Sequence, residues 1–328
     1  MKKSFLFTLV IALLTVFAVA CGTDSKSEEP VAEEATEGAD PEAEVAEETE
    51  VTIKHELGEA IVPKNPSSVV VLDMGVLDSM DKLGIEGVTG VPTQSVPDYL
   101  PKYTGEEYKN IGSLKEPDFE AIYDLKPDLI IMSGRQLDAF EELNEIAPTI
   151  FMGIDTENYV ESFHHNVETL GKIFGKEEVA EEELAAIKES LSKLNEKAAS
   201  SEAKGLIVLA NEGALSAYGP GSRFGILHDG FGVAAVDENL EVSTHGQNIS
   251  FEYIVEKDPD YLFVVDRGAV VAGGEAIAKE TVENELIQGT KAYKNGNIVY
   301  LDPVYWYISA GGLTSVAGMI EEVDAAIK

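Results

Sequence analysis

The chain has 328 residues, 44% of them hydrophobic, which is enough to bury a core and suits two domains better than one or three. Its 60 acidic residues face only 24 basic ones, a formal net charge of −36, so nucleic acid and anionic lipid headgroups are poor partners. A single cysteine excludes a small disulfide-stapled scaffold.

In chain order, Lys2 and Lys3 precede an apolar run from Phe5 to Val19 that is short for a membrane span and ends in small residues. This reads as a secretory signal over residues 1–20. Ala18-Val19-Ala20 leads directly into Cys21, a pattern that resembles a bacterial lipobox, although Ala18 stands where Leu is usual. Acylation at Cys21 would anchor the chain to the extracytoplasmic face of the cell membrane. Residues 21–50 are crowded with Glu and Asp against a single Lys26 and carry almost nothing to bury. They are expected to form a disordered acidic tether.

The remainder contains a long-range repeat. Phe119-Glu120-x-Ile122 precedes Pro127-Asp128, an apolar run Leu129–Met132 and Arg135; Phe251-Glu252-x-Ile254 precedes Pro259-Asp260, the run Tyr261–Val265 and Arg267. Both copies place Pro eight residues after Phe and Arg eight after Pro, and they lie 132 residues apart. Such a distance is too long for a solenoid and suits two lobes of similar build. Each copy reads as a short helix, a turn, a buried strand and an arginine at the strand's carboxyl end, where ligands sit in open α/β sheets. Further strands are expected at Ser68–Leu72, Thr149–Met152, Leu206–Leu209 and Asn297–Tyr300. Residues 176–199 are rich in Glu, Ala, Leu and Lys without proline or glycine. They predict one long helix between a first lobe, 51–175, and a second, 200–328, and with it a small-angle hinge.

Only three of the 24 basic residues are arginine: Arg135, Arg223 and Arg267. A guanidinium is planar, permanently charged, weakly hydrated and forked toward oxygen pairs, so it suits a partly dry anion site. Two of the three occupy the repeated strand end; the third follows Gly219-Pro220-Gly221-Ser222. That glycine-rich turn lacks the Gly-Lys-Ser/Thr ending of a phosphate loop. Three converging cations in an acidic protein match a compact trianion. Catalysis is not expected, because Ser222 has no Gly-x-Ser-x-Gly setting, and five scattered histidines without Cys/His spacing argue against zinc.

With Gly112-Ser113-Leu114-Lys115-Glu116-Pro117-Asp118-Phe119, Ser222-Arg223-Phe224-Gly225, Ser243-Thr244-His245-Gly246-Gln247, Val265-Asp266-Arg267-Gly268 and Tyr300-Leu301-Asp302, the chain from Val51 to Lys328 resembles the siderophore-binding lipoproteins of bacterial iron ABC importers. The likeness is to their catecholate branch, which includes petrobactin binders. The resemblance implies a class III solute-binding fold, two Rossmann-like α/β lobes joined by a single long helix, in a monomer without an intrinsic cofactor. It implies that Arg135, Arg223 and Arg267 face a ferric catecholate siderophore. His245 and one of Tyr305 and Tyr307 would ligate Fe(III) where the chelator leaves sites open; alternatively His245 is a loop histidine bonded to backbone. Phe224 is expected to wall the cleft, and Trp306 is either a stacking wall or a core anchor. Exposed carboxylates, Glu86 and Glu238, would dock on arginines of the permease. The same fold could instead carry a ferric hydroxamate, haem or cobalamin.

Overall fold

The computed structural model describes residues 49–271 and 277–328; the expected signal segment, Cys21 and nearly all of the tether lie outside them. Glu50, assigned to the tether from composition, instead opens strand β1 (Glu50–His55), which pairs antiparallel with β2 (Gly58–Pro63). Val51, Ile53 and Val62 are buried while Thr52 and Lys54 are exposed. That two-residue alternation fixes the hairpin's inward face.

The first lobe holds a parallel sheet in the order β5-β4-β3-β6-β7, made of β3 (Val69–Val71), β4 (Val88–Val91), β5 (Lys109–Asn110), β6 (Leu129–Met132) and β7 (Thr149–Phe151). Every residue of β3 and β6 is buried, as expected for parallel strands covered on both faces by helices. The second sheet runs β11-β9-β8-β12-β13, with β10 (Ala234–Ala235) beside β8. Here β8 (Lys204–Asn211), β12 (Tyr261–Asp266) and β13 (Ile298–Leu301) are parallel, whereas β9 (Ala214–Tyr218) and β11 (Gln247–Ile249) form an antiparallel edge.

The sequence repeat is a structural repeat. The first copy forms helix α2 (Phe119–Leu125), ended by Lys126 at φ 48°; the second forms the helix Phe251–Lys257, ended by Asp258 at φ 41°. The aspartate of each Pro-Asp pair then clamps the start of the strand next door. Asp128 accepts from the Ser67 and Ser68 amides ahead of β3, and Asp260 accepts from the Lys204 amide that opens β8. With both clamps at the amino ends, β6 and β12 run in register with β3 and β8, and each carries its arginine to the carboxyl end of its sheet.

The parallel strands of the first lobe are linked and covered by α1 (Met74–Lys82), α2, α3 (Phe140–Ile146) and α4 (Tyr159–Phe174), and α5 (Glu177–Ser201) follows. The long connecting helix is α5, whose buried residues Ala180, Leu184, Ile187, Leu191, Leu194 and Ala198 recur at alternating spacings of four and three. That stripe packs on α4 and on the C-terminal helix Leu313–Ala326. Helix α1 crosses to the same C-terminal helix and caps it. The Leu313 amide donates to Ser79 Oγ, and the Thr314 and Ser315 amides donate to the Asp78 carboxylate at 3.1 and 2.8 Å. The approach is close enough to require glycine at position 75, where a Cβ would stand 2.5 Å from the Ala310 carbonyl oxygen. Among the described residues no helix is long and apolar enough to cross a membrane.

Candidate functional site

The carboxyl ends of the parallel strands open on a cleft of about 650 Å³ lined from both lobes, by Arg135, Tyr159 and Asp73 on one side and Arg223, His245 and Tyr307 on the other. A larger depression, about 730 Å³, carries no arginine; it continues the cleft around the β7 end, sharing Phe151, Met152, Ile154 and Asn166.

Each arginine is placed by a local device. Ser133 stands at the N-cap of the 3₁₀ turn Gly134–Ala139, which puts Arg135 three residues past the end of β6. Arg223 leaves a tight turn in which Ser222 Oγ donates to the Gly219 carbonyl, Gly221 sits at φ 71°, and a Cβ on Gly225 would meet the Gly221 and Ser222 amides at 2.8 Å. The Arg267 amide continues the sheet ladder by donating to the Ala210 carbonyl at 3.0 Å.

All three guanidiniums meet at one residue, Tyr307. Arg135 Nη2 and Arg223 Nη2 donate to its carbonyl at 2.5 and 3.1 Å, and Arg267 Nε donates to its phenol oxygen at 3.0 Å. The Arg223 guanidinium also lies 4.0 Å from the centre of the Tyr307 ring. Burial, and then the neighbouring charge of Arg135, pulls Arg223 below the ordinary arginine value. Burial pushes the Tyr307 phenol up, but the Arg267 hydrogen bond and the charges of Arg223 and Arg267 outweigh it, so this phenol ionises below the usual tyrosine range. A cluster of like charges that leans on a carbonyl and a phenol is one that an incoming anion relieves.

The two repeated arginines have different partners. Arg135 Nη1 lies 3.6 Å from Asp73, whose carboxylate also accepts from Ser133 Oγ at 2.7 Å and caps α1 through the Gly75 and Val76 amides. Arg267 Nη1 donates instead to the amide oxygen of Asn211 at 2.7 Å.

The aromatic expectations divide. Tyr305 and Tyr307 lie on a π-helical turn, Val304–Ile308, closed by the Ser309 amide on the Val304 carbonyl at 2.9 Å. Residues two apart on such a turn face nearly opposite ways. Tyr307 lines the cleft, while Tyr305 packs away from it against Tyr99, with ring centres 5.5 Å apart. Trp306 is the core anchor rather than the stacking wall. It is fully buried, donates from Nε1 to Glu322 at 2.9 Å and packs edge-on against Phe224 and Phe231. The expectation that Phe224 walls the cleft is likewise corrected, because its ring is buried against Tyr218 and Trp306, behind the arginine it precedes. His245 stands exposed on the rim in the turn Ser243–Gly246, and its ring bonds to no backbone group among the described residues. Glu86 and Glu238 are exposed, one on each lobe. Among the described residues no group of three or more His, Cys, Asp or Glu side chains is arranged to hold a metal ion.

Sequence reasoning missed Asp73, Asn211 and Tyr159. The first two stand at or just past the ends of the strands beside the arginine-bearing ones, so the strand-end argument that found the arginines would have found them had it been applied one strand over.

Two α/β lobes on a long helix, with a cationic cleft at the strand ends, define a bilobed solute-binding protein. The chain belongs to the periplasmic binding protein family, whose model matches residues 69–305. Members of that family are substrate-binding proteins, not enzymes. The chain is 46% identical over 332 residues, covering 100% of both sequences, to the petrobactin-binding protein YclQ of Bacillus subtilis strain 168. It is 34% identical over 281 residues to the ferric-anguibactin-binding protein FatB of Vibrio anguillarum, covering 84% of this chain and 87% of that one. The crystal structure of YclQ matches with a TM-score of 0.83 at 47% identity, over 86% of this chain and 99% of that chain. The catecholate-siderophore-binding protein VctP of Vibrio cholerae matches at 0.80 and 38%, over 84% and 99%.

Proposed function

We propose that this chain is the capture component of an iron ABC importer, taking a ferric catecholate siderophore of the petrobactin class into its cleft and passing it to a membrane permease. The observation that carries this reading is the convergence of Arg135, Arg223 and Arg267 on Tyr307, in a protein of net charge −36. Against that background an anionic chelate finds one attractive basin. Its catecholate oxygens replace the Tyr307 carbonyl and phenol as acceptors of the guanidinium hydrogen bonds, and the partly dry site strengthens each bond. Tyr307, whose phenol is held below the usual tyrosine range by the arginines around it, and His245 on the rim supply phenolate and imidazole to Fe(III) where the chelator leaves coordination sites open, the metal's charge replacing the Arg267 hydrogen bond in stabilising the phenolate. Tyr305 faces away and takes no part. YclQ, FatB and VctP, whose names record petrobactin, ferric-anguibactin and catecholate-siderophore binding, support the ligand class.

In this reading Cys21 carries the lipid anchor, the acidic segment is the tether, and Glu86 and Glu238 meet arginines of the permease. The connecting helix α5 limits closure to a small rotation. The test is to titrate the purified protein with ferric petrobactin, a ferric tris-catecholate, a ferric hydroxamate and cobalamin, following tryptophan fluorescence. Quenching by a catecholate chelate alone is the expected result; quenching only by the hydroxamate or by cobalamin overturns the ligand class.

A further inference from the structure

Four buried polar atoms make no hydrogen bond with any described residue: His55 Nδ1, His164 Nε2 and the hydroxyls of Tyr159 and Tyr218. A buried hydroxyl without a partner costs stability, so each one calls for a reason. The two tyrosines come from opposite lobes and both lie within electrostatic reach of Arg223. They differ in one respect. Tyr159, in the first turn of α4, lines the cleft, while Tyr218 lies behind it, filling the space beside Gly246, where a Cβ would stand 2.7 Å from its ring.

The polar groups acting on the Tyr159 hydroxyl all belong to the cleft wall: Asp73, the Gly311 amide and Arg223. None of them takes its proton. The Asp73 oxygens are engaged by Ser133, Gly75 and Val76, the Gly311 N–H would meet a lone pair, and Arg223 has no acceptor. Burial, and then the Asp73 charge, holds this phenol protonated above the usual tyrosine range, so its proton remains available to donate.

We propose that the Tyr159 hydroxyl donates a hydrogen bond to an oxygen of the bound chelate, making Tyr159 a specificity-determining residue on the first-lobe wall beside the arginines. This rests on the cleft being the chelate site. The ligand must then turn an oxygen acceptor, whether catecholate, carboxylate or hydroxamate, toward α4, and a chelate presenting an alkyl or ammonium group there is disfavoured. The arginines select charge, and the phenol selects which face of the ligand points at the first lobe.

The test compares Tyr159→Phe and Tyr218→Phe in the full chain, each measured by thermal unfolding without ligand and by titration with the four ligands named above plus ferric citrate. Both variants remove an unpartnered hydroxyl and keep the ring, so both should unfold at or above the wild-type midpoint. Only Tyr159→Phe should bind more weakly, by about 10- to 100-fold, the effect of one hydrogen bond to a charged acceptor. Wild-type affinity in Tyr159→Phe, or equal losses in both variants, overturns the proposal. If the wild type binds only the hydroxamate or the citrate chelate, the catecholate reading falls and the Tyr159 comparison is decided on that chelate. If no ferric chelate binds, both readings fall.

Discussion

Arg135 and Arg267 occupy the same position of an internal repeat, yet one faces a carboxylate and the other an amide. Asp73 cancels much of the charge that Arg135 brings to the first-lobe wall, while Asn211 orients Arg267 without neutralising it. Arg223 likewise has no carboxylate partner among the described residues. The attractive charge of the cleft therefore resides mainly on the second lobe, and the first lobe presents a nearly balanced, hydrogen-bonding wall. A duplicated architecture has been given two tasks, capture on one side and orientation on the other.

The largest effect is expected from removing the capture side altogether. Arg223→Ala combined with Arg267→Ala deletes two charge-assisted hydrogen bonds, each worth about 1.5–3 kcal/mol, and should weaken chelate binding at least a hundredfold by fluorescence titration. Next comes a contrast in stability. Arg135→Ala leaves the Asp73 carboxylate nearly buried without its cation and should lower unfolding free energy by about 1–3 kcal/mol in urea. Arg267→Ala strands only a neutral amide and should stay within about 0.5 kcal/mol of wild type. Equal losses in the two variants would erase the asymmetry.

A smaller effect sharpens it. Asp73→Asn keeps the α1 cap, since Asn caps nearly as well as Asp, but uncovers the Arg135 charge. Affinity for an anionic chelate should rise a few-fold, with a steeper dependence on salt. The smallest effect is spectroscopic. Tyr307 should be an early tyrosine to ionise in an ultraviolet pH titration, and Arg267→Ala should move it upward. Because its folded pKa lies below the unfolded value near 10, folding releases a proton in that window. This group's contribution to stability therefore grows as pH rises from the folded pKa toward 10 and is absent below it.

Much of this was legible in the sequence because it rests on strong local signals. The buried runs of β3, β6, β8 and β12 were placed to within two residues, and α5 was expected from 176 to 199 and is Glu177–Ser201. The scarcity of arginine pointed to the cleft before any geometry was known. What could not be read depends on facing. Tyr305, Trp306 and Tyr307 are equally aromatic neighbours, and only the π-helical turn decides that the last enters the cleft, the middle one enters the core and the first turns away. The edge strands β9 and β11 and the β1–β2 hairpin were missed because short, half-exposed strands carry weak periodicity. Asp73 was missed because composition does not single out one carboxylate among 60 acidic residues; only its place just past the end of β3 does.

The capping of the C-terminal helix by α1 has a consequence for the order in which the chain completes itself. Gly75, Asp78 and Ser79 in the first lobe are covered by residues more than 230 positions later. Asp78 carries a carboxyl raised by burial above its ordinary value and relieved by the Thr314 and Ser315 groups. Without Leu313–Ala326 the first lobe lacks one of its walls, and α1 would present apolar surface to water, with Asp78 left to Tyr99 alone. The first lobe is therefore complete only when the C-terminal helix is in place. The contacts that complete it come from the far end of the sequence, so the two ends of the chain are tied into one cooperative unit.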